Sequence, residues 1–457
     1  MNVVIVGLGW VGLTTGSVMA FLGHDVTGFD VNETLVGRLQ KGEAPFFEPG
    51  LAEFTEAQLG AGRLRFTLDL KSALAPADVI FIAVGTPLTE DGQTVDMRFV
   101  SQAAMDIGMH LEKGRFRVIV NKSTVPAGSN GWVDSFIGQS LQERGIIGQV
   151  DYAVASNPEF LREGSAIRDT IYPDRVVIGA EDTCAVDTLT KLYRPILEQT
   201  FPPPPGFPRA EGFNKVPLLK VDPVTAELVK YAANAFLATK ISFINEIANI
   251  CDLVGANVAD VAAGIGLDSR IGQSFLSAGI GWGGSCFPKD LTALVRESEV
   301  YGYNARLLKA ASDVNQLQRM VVVKKLQDVL KTVRGKTVGV LGLSFKPNTD
   351  DLRSAPSIDI IRKLTEIGAV VRAYDPVAME PFGKMYPEVQ VSLCASVNEV
   401  AEGADALILV TEWREFLDCD WPRIRTLMRT PVIIDGRNAL NKSYLEGLDF
   451  VYRGVGV

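Results

Sequence analysis

The sequence predicts an α/β protein with two doubly wound domains, the first on a parallel sheet, joined by a central helical region that contains one long helix. Three observations carry this. Residues 3 to 30, VVIVGLGWVGLTTGSVMAFLGHDVTGFD, read as an apolar strand, a glycine turn, a helix and a second strand. From Lys336 the same kind of pattern starts again with KTVGVLGLSFKPNTDD. Between them, residues 226 to 256 contain no proline and place apolar residues at helical spacing, all round the helix in its middle.

Taken in order, the first βαβ unit is followed by strands at 78 to 87, 117 to 126, 152 to 160 and 175 to 180, with helical stretches between most of them. The run FPPPPGFP (201 to 208) interrupts this order and reads as a linker or loop, since consecutive prolines fit neither a helix interior nor a central strand. The long helix after it is expected to be largely buried, in part by another subunit. Strands at 369 to 376, 404 to 413 and 431 to 438 then build the second sheet, whose turn GVLGLSF lacks the three-glycine pattern of the first. The two ends are therefore alike in style and different in ligand. Domain limits of 1 to 200, 215 to 320 and 334 to 457 follow.

Composition narrows the function. Fifty-four acidic against 45 basic residues give a net charge of −9, which argues against a nucleic-acid or anionic-membrane partner and for a small soluble substrate. No apolar run approaches a membrane span and no leader precedes the first strand, so a cytoplasmic protein is expected. Cys184, Cys251, Cys286, Cys394 and Cys419 are scattered without CxxC spacing, which suggests neither a disulfide framework nor a metal site. The only histidines are His24, placed at the turn between the first helix and second strand, and His110. Acid–base chemistry must then use Cys, Lys, Asp, Glu or Thr.

Gly7, Gly9 and Gly12 form GxGxxG between a strand and a helix, and Asp30 closes the next strand. In that context the pattern points to a dinucleotide: the glycines admit a pyrophosphate to a helix N-terminus, and the carboxylate receives the adenosine ribose hydroxyls. Asp30 would repel a 2′-phosphate, which favours NAD over NADP.

The stretch GIGWGGSCFPKD (279 to 290) delivers Cys286 from a glycine-rich loop just ahead of Pro288, at or before a helix N-terminus. The helix dipole and Lys289 would favour the thiolate there. Cys286 and Asp290 share one face of the turn. The glycines indicate unusual backbone conformations or close ligand approach. Two further pairs have the same four-residue spacing, Lys230 with Asn234 on the long helix and Glu159 with Glu163. Lys230 lies in the apolar setting LVKYAANAF, where an ammonium needs a partner or a task. FAD, the other dinucleotide, fits less well, because the thiol site needs a hydride acceptor that can be exchanged between steps.

These residues resemble the UDP-glucose/GDP-mannose dehydrogenase family along almost the whole chain. The likeness is carried by GLGWVGL, FFEPGL, VGTP, KSTVPAG, NPEFLREGSAIRD, PDRVVIG, KYAANAFLATKISFINEIA, DSRIG, GGSCFPKD and GLSFKPNTDDLRSAP. It implies an NAD-binding first domain, a central helical dimerisation region and a C-terminal UDP-sugar-binding domain. By motif, Val11, Asp30, Thr86, Thr124, Glu163, Lys289 and Arg353 would touch NAD. The substrate would meet Glu159, Phe160, Leu161, Arg162, Glu163, Lys230, Asn234, Phe275, Leu276, Ser277, Ala278, Gly279, Gly283, Lys346 and Arg437. Arg270 would reach the partner subunit's site, so the active form would be at least a dimer.

The resemblance also implies a reaction: four-electron oxidation of UDP-glucose at C6 through a thiohemiacetal and a thioester on Cys286. Lys230 and Asn234 would stabilise oxyanions, Asp290 would order or deprotonate water, and Thr124 and Glu159 would position it. Whether Lys230 or Asp290 is the first base stays open. The chain departs from the family pattern at Leu35, where a basic residue is usual, and at Trp10 and Trp282, where Tyr or Phe is common. GDP-mannose, UDP-N-acetylhexosamines and a non-catalytic sensor are the alternatives.

Overall fold

The computed structural model describes residues 1 to 457 and divides into two compact units, Met1–Ala232 and Ala233–Val457. The first is built on eight strands: β1 (Asn2–Val6), β2 (Asp25–Phe29), β3 (Leu64–Thr67), β4 (Val79–Ile82), β5 (Arg117–Asn121), β6 (Tyr152–Ser156), β7 (Val176–Gly179) and β8 (Leu218–Val221). Their order is β3-β2-β1-β4-β5-β6-β7-β8. Strand order reverses between β1 and β4, so the carboxyl ends of these two strands border a crevice. Val3 to Val6 pair with Val26 to Phe29 on one side and Val79 to Ile82 on the other. Helices cover both faces, which is why the inner strands are continuous apolar runs.

The second unit repeats the plan with β9 (Thr337–Leu341), β10 (Val370–Tyr374), β11 (Ser392–Leu393), β12 (Ala406–Leu409), β13 (Val432–Asp435) and β14 (Val451–Arg453), in the order β11-β10-β9-β12-β13-β14. Every pairing in it is parallel.

The helices that bear on the site are α1 (Trp10–Phe21), α2 (Ser129–Glu143), α3 (Ala166–Ile171), α4 (Thr183–Glu198), α5 (Pro223–Val254) and α6 (Cys286–Val300). α5 is the expected long helix. It buries one face and leaves Phe236, Phe243, Ile250, Leu253 and Val254 exposed, so the monomer does not bury it all round.

One expectation is corrected. The first sheet is not parallel throughout: β7 joins β6 antiparallel at Ser156 and Gly179. The two strands meet only through Ser156 and Gly179, the last residue of each. The proline-rich segment is a loop, as expected, and it is packed. Phe201 and Phe207 pack on the first unit's core, and Tyr172 donates its hydroxyl to the Phe207 carbonyl at 2.9 Å. A Cβ at Gly50 would lie 2.6 Å from the Phe207 ring, so the segment clasps the FFEPGL loop.

Candidate active site

The glycine turn between β1 and α1 has three different jobs. Gly7 has φ +97° and sits where a Cβ would be 2.8 Å from the Ala83 carbonyl oxygen. A Cβ on Gly12 would be 1.9 Å from the Gly7 oxygen, so that glycine lets helix and turn touch. Gly9 alone of the three faces open space, with nothing within 4 Å of where a Cβ would stand. Gly9 is also the N-cap of α1 and offers no side-chain acceptor to the first-turn amides. A diphosphate fits that opening. Asp30, at the end of β2, accepts the Leu8 and Asn32 amides at 2.9 and 3.0 Å, which fixes its carboxylate beside the turn. Thr86 and Thr124 follow β4 and β5, on the same carboxyl edge of the sheet. Thr86 is buried, while Val11 and Thr124 are half-buried. Leu35 packs partly against the core and brings no cation.

Beyond β6, residues 157 to 165 form a loop, so Glu159 and Glu163 are not one turn apart on a helix as their spacing suggested. The proline at 158 and the glycine at 164 explain this. Glu159 is buried and pairs with the Lys230 ammonium at 2.7 Å, and its second oxygen accepts the Leu161 amide at 2.8 Å. Lys230 thus has the partner its apolar setting demands. Phe160 lies under the Arg175 guanidinium, 3.7 Å from its ring centre. Arg162 is exposed and held by Asp169 at 2.7 Å, while Leu161 and Glu163 are half-buried.

In the second unit Cys286 is the first residue of α6, with Ser285 as N-cap and the Ser285 hydroxyl 3.6 Å from its sulfur. Asp290, one turn on, is buried and accepts the Asn234 amide at 2.7 Å and the Lys289 ammonium at 2.5 Å. Lys289 therefore has its charge paired with Asp290. A thiol at a helix N-terminus, half-exposed and one turn from a carboxylate–amide pair, is equipped for covalent chemistry at a carbonyl.

The glycines before it also serve packing, a role their pattern in the sequence does not display. A Cβ on Gly279 would be 2.7 Å from the Gly436 oxygen, on Gly281 2.4 Å from Asn315 Oδ1, and on Gly283 2.4 Å from the Ser354 oxygen. Ahead of them, Phe275 has the left-handed φ of +64°. Leu276 and Ala278 are buried and Ser277 is exposed.

Arg437 donates to the carbonyls of Val410, Gly281 and Phe345 at 2.7, 3.1 and 3.1 Å and pairs with Glu412 at 3.4 Å, and two of a guanidinium's five N–H groups are not used by these hydrogen bonds. Lys346 lies 5.3 Å from the Phe345 ring centre. Arg353 is fixed by Asp351 at 2.8 Å, and the exposed Arg270 by Asp268 at 2.6 Å.

Several supporting residues escaped sequence reasoning. Asn245, Asn315 and Gln318 are buried amides that bind the backbone of Gly279 and Trp282 at 2.8 to 3.0 Å. Glu48 accepts Trp10 Nε1 at 3.2 Å and the amides of Gly164 and Ala166 at 2.6 and 2.8 Å, tying the glycine turn to the loop after β6. Lys122 and Glu227 are buried on either side of that loop. A charged residue directly after a buried strand, as Lys122 follows RVIVN, was the available signal.

This arrangement can be set beside known proteins. Three family models match in order: the NAD binding domain of the UDP-glucose/GDP-mannose dehydrogenase family over residues 1–197, its central domain over 224–317, and its UDP binding domain over 339–442. The chain belongs to that family. NAD is its cofactor, and Gly9 and Asp30 fit the group as described above. UDP-glucose 6-dehydrogenase TuaD of Bacillus subtilis is 44% identical over 455 residues, spanning 100% of this chain and 93% of the relative. UDP-glucose 6-dehydrogenase of Pseudomonas aeruginosa is 44% identical over 461 residues, with 100% and 97% covered. A solved UDP-glucose dehydrogenase from Pyrobaculum islandicum superimposes with a TM-score of 0.87 at 38% identity, covering 99% of this chain and 97% of that one.

Proposed function

We propose that this chain is an NAD-dependent UDP-glucose 6-dehydrogenase that carries the C6 alcohol to a carboxylate through Cys286. The observation that carries this reading is the placing of Cys286 as the first residue of α6, with Asp290 and Asn234 bonded to each other one turn in. Full-length relatives of that name at 44% identity support the substrate.

NAD supplies a hydride acceptor for each of the two oxidations. In the first, a carboxylate takes the proton of the C6 hydroxyl as the hydride leaves, and the paired Lys230 ammonium stabilises the oxygen through its charge. Both candidates are paired, Asp290 with Lys289 and Lys230 with Glu159; Asp290 suits the base, since a carboxylate accepts the proton directly whereas the ammonium would first have to lose one. The Cys286 thiolate then bonds to the aldehyde carbon, which holds the intermediate on the protein. Loss of the second hydride leaves a thioester. Water, ordered by Thr124, Glu159 and Asp290, breaks the C–S bond and returns the thiolate with the carboxylate product. Lys346 and the two remaining N–H groups of Arg437 hold the diphosphate.

The exposed residues Phe236, Phe243 and Ile250 recur every seven residues on α5, and this stripe supports a homodimer formed through that helix. Arg270 is then the residue one protomer lends to its partner. No helix is long and apolar enough to cross a membrane.

The test is NAD reduction with UDP-glucose, UDP-galactose, UDP-N-acetylglucosamine and GDP-mannose supplied separately. Two NADH per UDP-glucose and little from the others is expected. Reaction with GDP-mannose alone would move the substrate, and no reaction with any sugar would sink the enzymatic reading.

A further inference from the structure

The turn that leaves β6 is gripped by buried charged side chains. The Ser156 hydroxyl donates to Glu227 at 2.9 Å, Asn157 Oδ1 accepts the Lys122 ammonium at 3.0 Å, and Glu159 pairs with Lys230 at 2.7 Å. Lys122 also reaches the Asn157 carbonyl at 3.4 Å and the Tyr193 hydroxyl of α4 at 3.5 Å. Tyr193 in turn donates to Asn157 Oδ1 at 2.5 Å, and Asn157 Nδ2 donates to the Val177 carbonyl at 2.7 Å. Asn157 thus has both ends of its amide fixed, and the turn that presents Glu159 starts from it.

We propose that Lys122 is a positioning residue for the oxidation: it clamps Asn157 and places a second positive charge beside the Glu159–Lys230 pair. The inference rests on the function proposed above.

Lys122 makes no ion pair of its own within bonding distance. Its charge acts through space, attracted by Glu159 and repelled by Lys230, and it packs against Tyr193 from α4 and the Phe81 ring from β4, 5.9 Å away. Burial outweighs the attraction of Glu159, and the ammonium's pKa falls to about 8. By reciprocity the Lys122 charge makes the Lys230 proton easier to lose, and removing that charge makes it harder to lose. Whichever role Lys230 has in the first oxidation, the limb of the pH–rate profile that reports it then moves to higher pH.

The test uses the full chain with UDP-glucose and NAD, comparing wild type with Lys122→Met, Lys122→Gln and Lys122→Arg. Profiles of kcat against pH are read together with KM for each substrate and the thermal midpoint. Lys122→Met is expected to lower kcat roughly tenfold or more and to shift the profile to higher pH, with KM for NAD changed less than threefold. Lys122→Gln keeps a donor for Asn157 without the charge, and is expected to recover part of kcat and keep the shift. Lys122→Arg restores the charge and is expected to restore the wild-type profile. Should Lys122→Met fail to fold, the contrast between Gln and Arg decides alone. Neutral variants that lose thermal stability but keep the wild-type profile and kcat overturn the positioning role. A wild-type protein that reduces no NAD with any nucleotide sugar overturns the function as well, whereas an active wild type with unshifted variants overturns only this inference.

Discussion

Glu159→Gln tests the buried ion pair directly. The change keeps side-chain volume and an acceptor for the Leu161 amide, but removes the carboxylate charge paired with the Lys230 ammonium, whose side chain is 4% exposed against 7% for Glu159. Removing one partner of a buried pair costs about 3 to 5 kcal/mol, far more than a surface pair, because the remaining charge keeps its desolvation penalty. A value of ~3 kcal/mol corresponds to a roughly 150-fold change in the folding constant. A buried ammonium without that carboxylate gives up its proton more easily than in the unfolded chain, so between those two pKa values the unfolded state binds more protons and stability rises with pH. The deficit should therefore be largest near pH 7 and shrink towards pH 10. Urea unfolding followed by tryptophan fluorescence measures it. Lys230→Met added to Glu159→Gln should recover at least half of the loss, since two neutral side chains leave no charge unpaired. A deficit below ~0.5 kcal/mol, or one independent of pH, would refute the reasoning.

Other outcomes follow from the same structure. Gly9→Ala, with open space at its Cβ, should keep the thermal midpoint within about 2 °C yet weaken NAD binding at least tenfold by calorimetry, whereas Gly12→Ala should lose both, because its Cβ meets the Gly7 oxygen at 1.9 Å. Phe236→Glu with Phe243→Glu should shift the protein to monomer by analytical ultracentrifugation, with little change in far-UV circular dichroism, since both side chains are exposed in a single chain. Lys122 has a folded pKa of about 8, below the unfolded lysine value of ~10.4, so it contributes stability that rises with pH across that window. Urea unfolding at pH 8 and pH 10 should show a smaller rise for Lys122→Met than for wild type.

The sequence made the inner strands and the glycine turn legible for a physical reason. Strands buried on both faces are continuous apolar runs, and a three-glycine turn between strand and helix has few other uses. Cys286 and the Lys230 ammonium stood out because a thiol in a glycine-rich loop and a charge in an apolar helix both conflict with ordinary packing. What stayed hidden depends on tertiary neighbours. The two-residue β11 and three-residue β14 lie at sheet edges, where brief pairing leaves no periodicity to read. Asn245, Asn315 and Gln318 look like ordinary polar helix positions until the glycine loop is laid against them. In sequence the glycines of that loop signal unusual backbone conformations or a close ligand, and it is the carbonyls of Gly436 and Ser354 that reveal their packing role. Likewise, nothing in FPPPPGFP says that Phe207 will seat on Gly50.

The central claim is the covalent role of Cys286, and the most direct measurement is mass spectrometry of cysteine-bearing peptides from protein quenched during turnover with UDP-glucose and NAD. The expected result is an acyl adduct on Cys286, none on Cys184, Cys251, Cys394 or Cys419, and a Cys286→Ser protein that releases no carboxylate product at a normal rate. Full turnover by Cys286→Ser, with no adduct on the wild-type thiol, would contradict it.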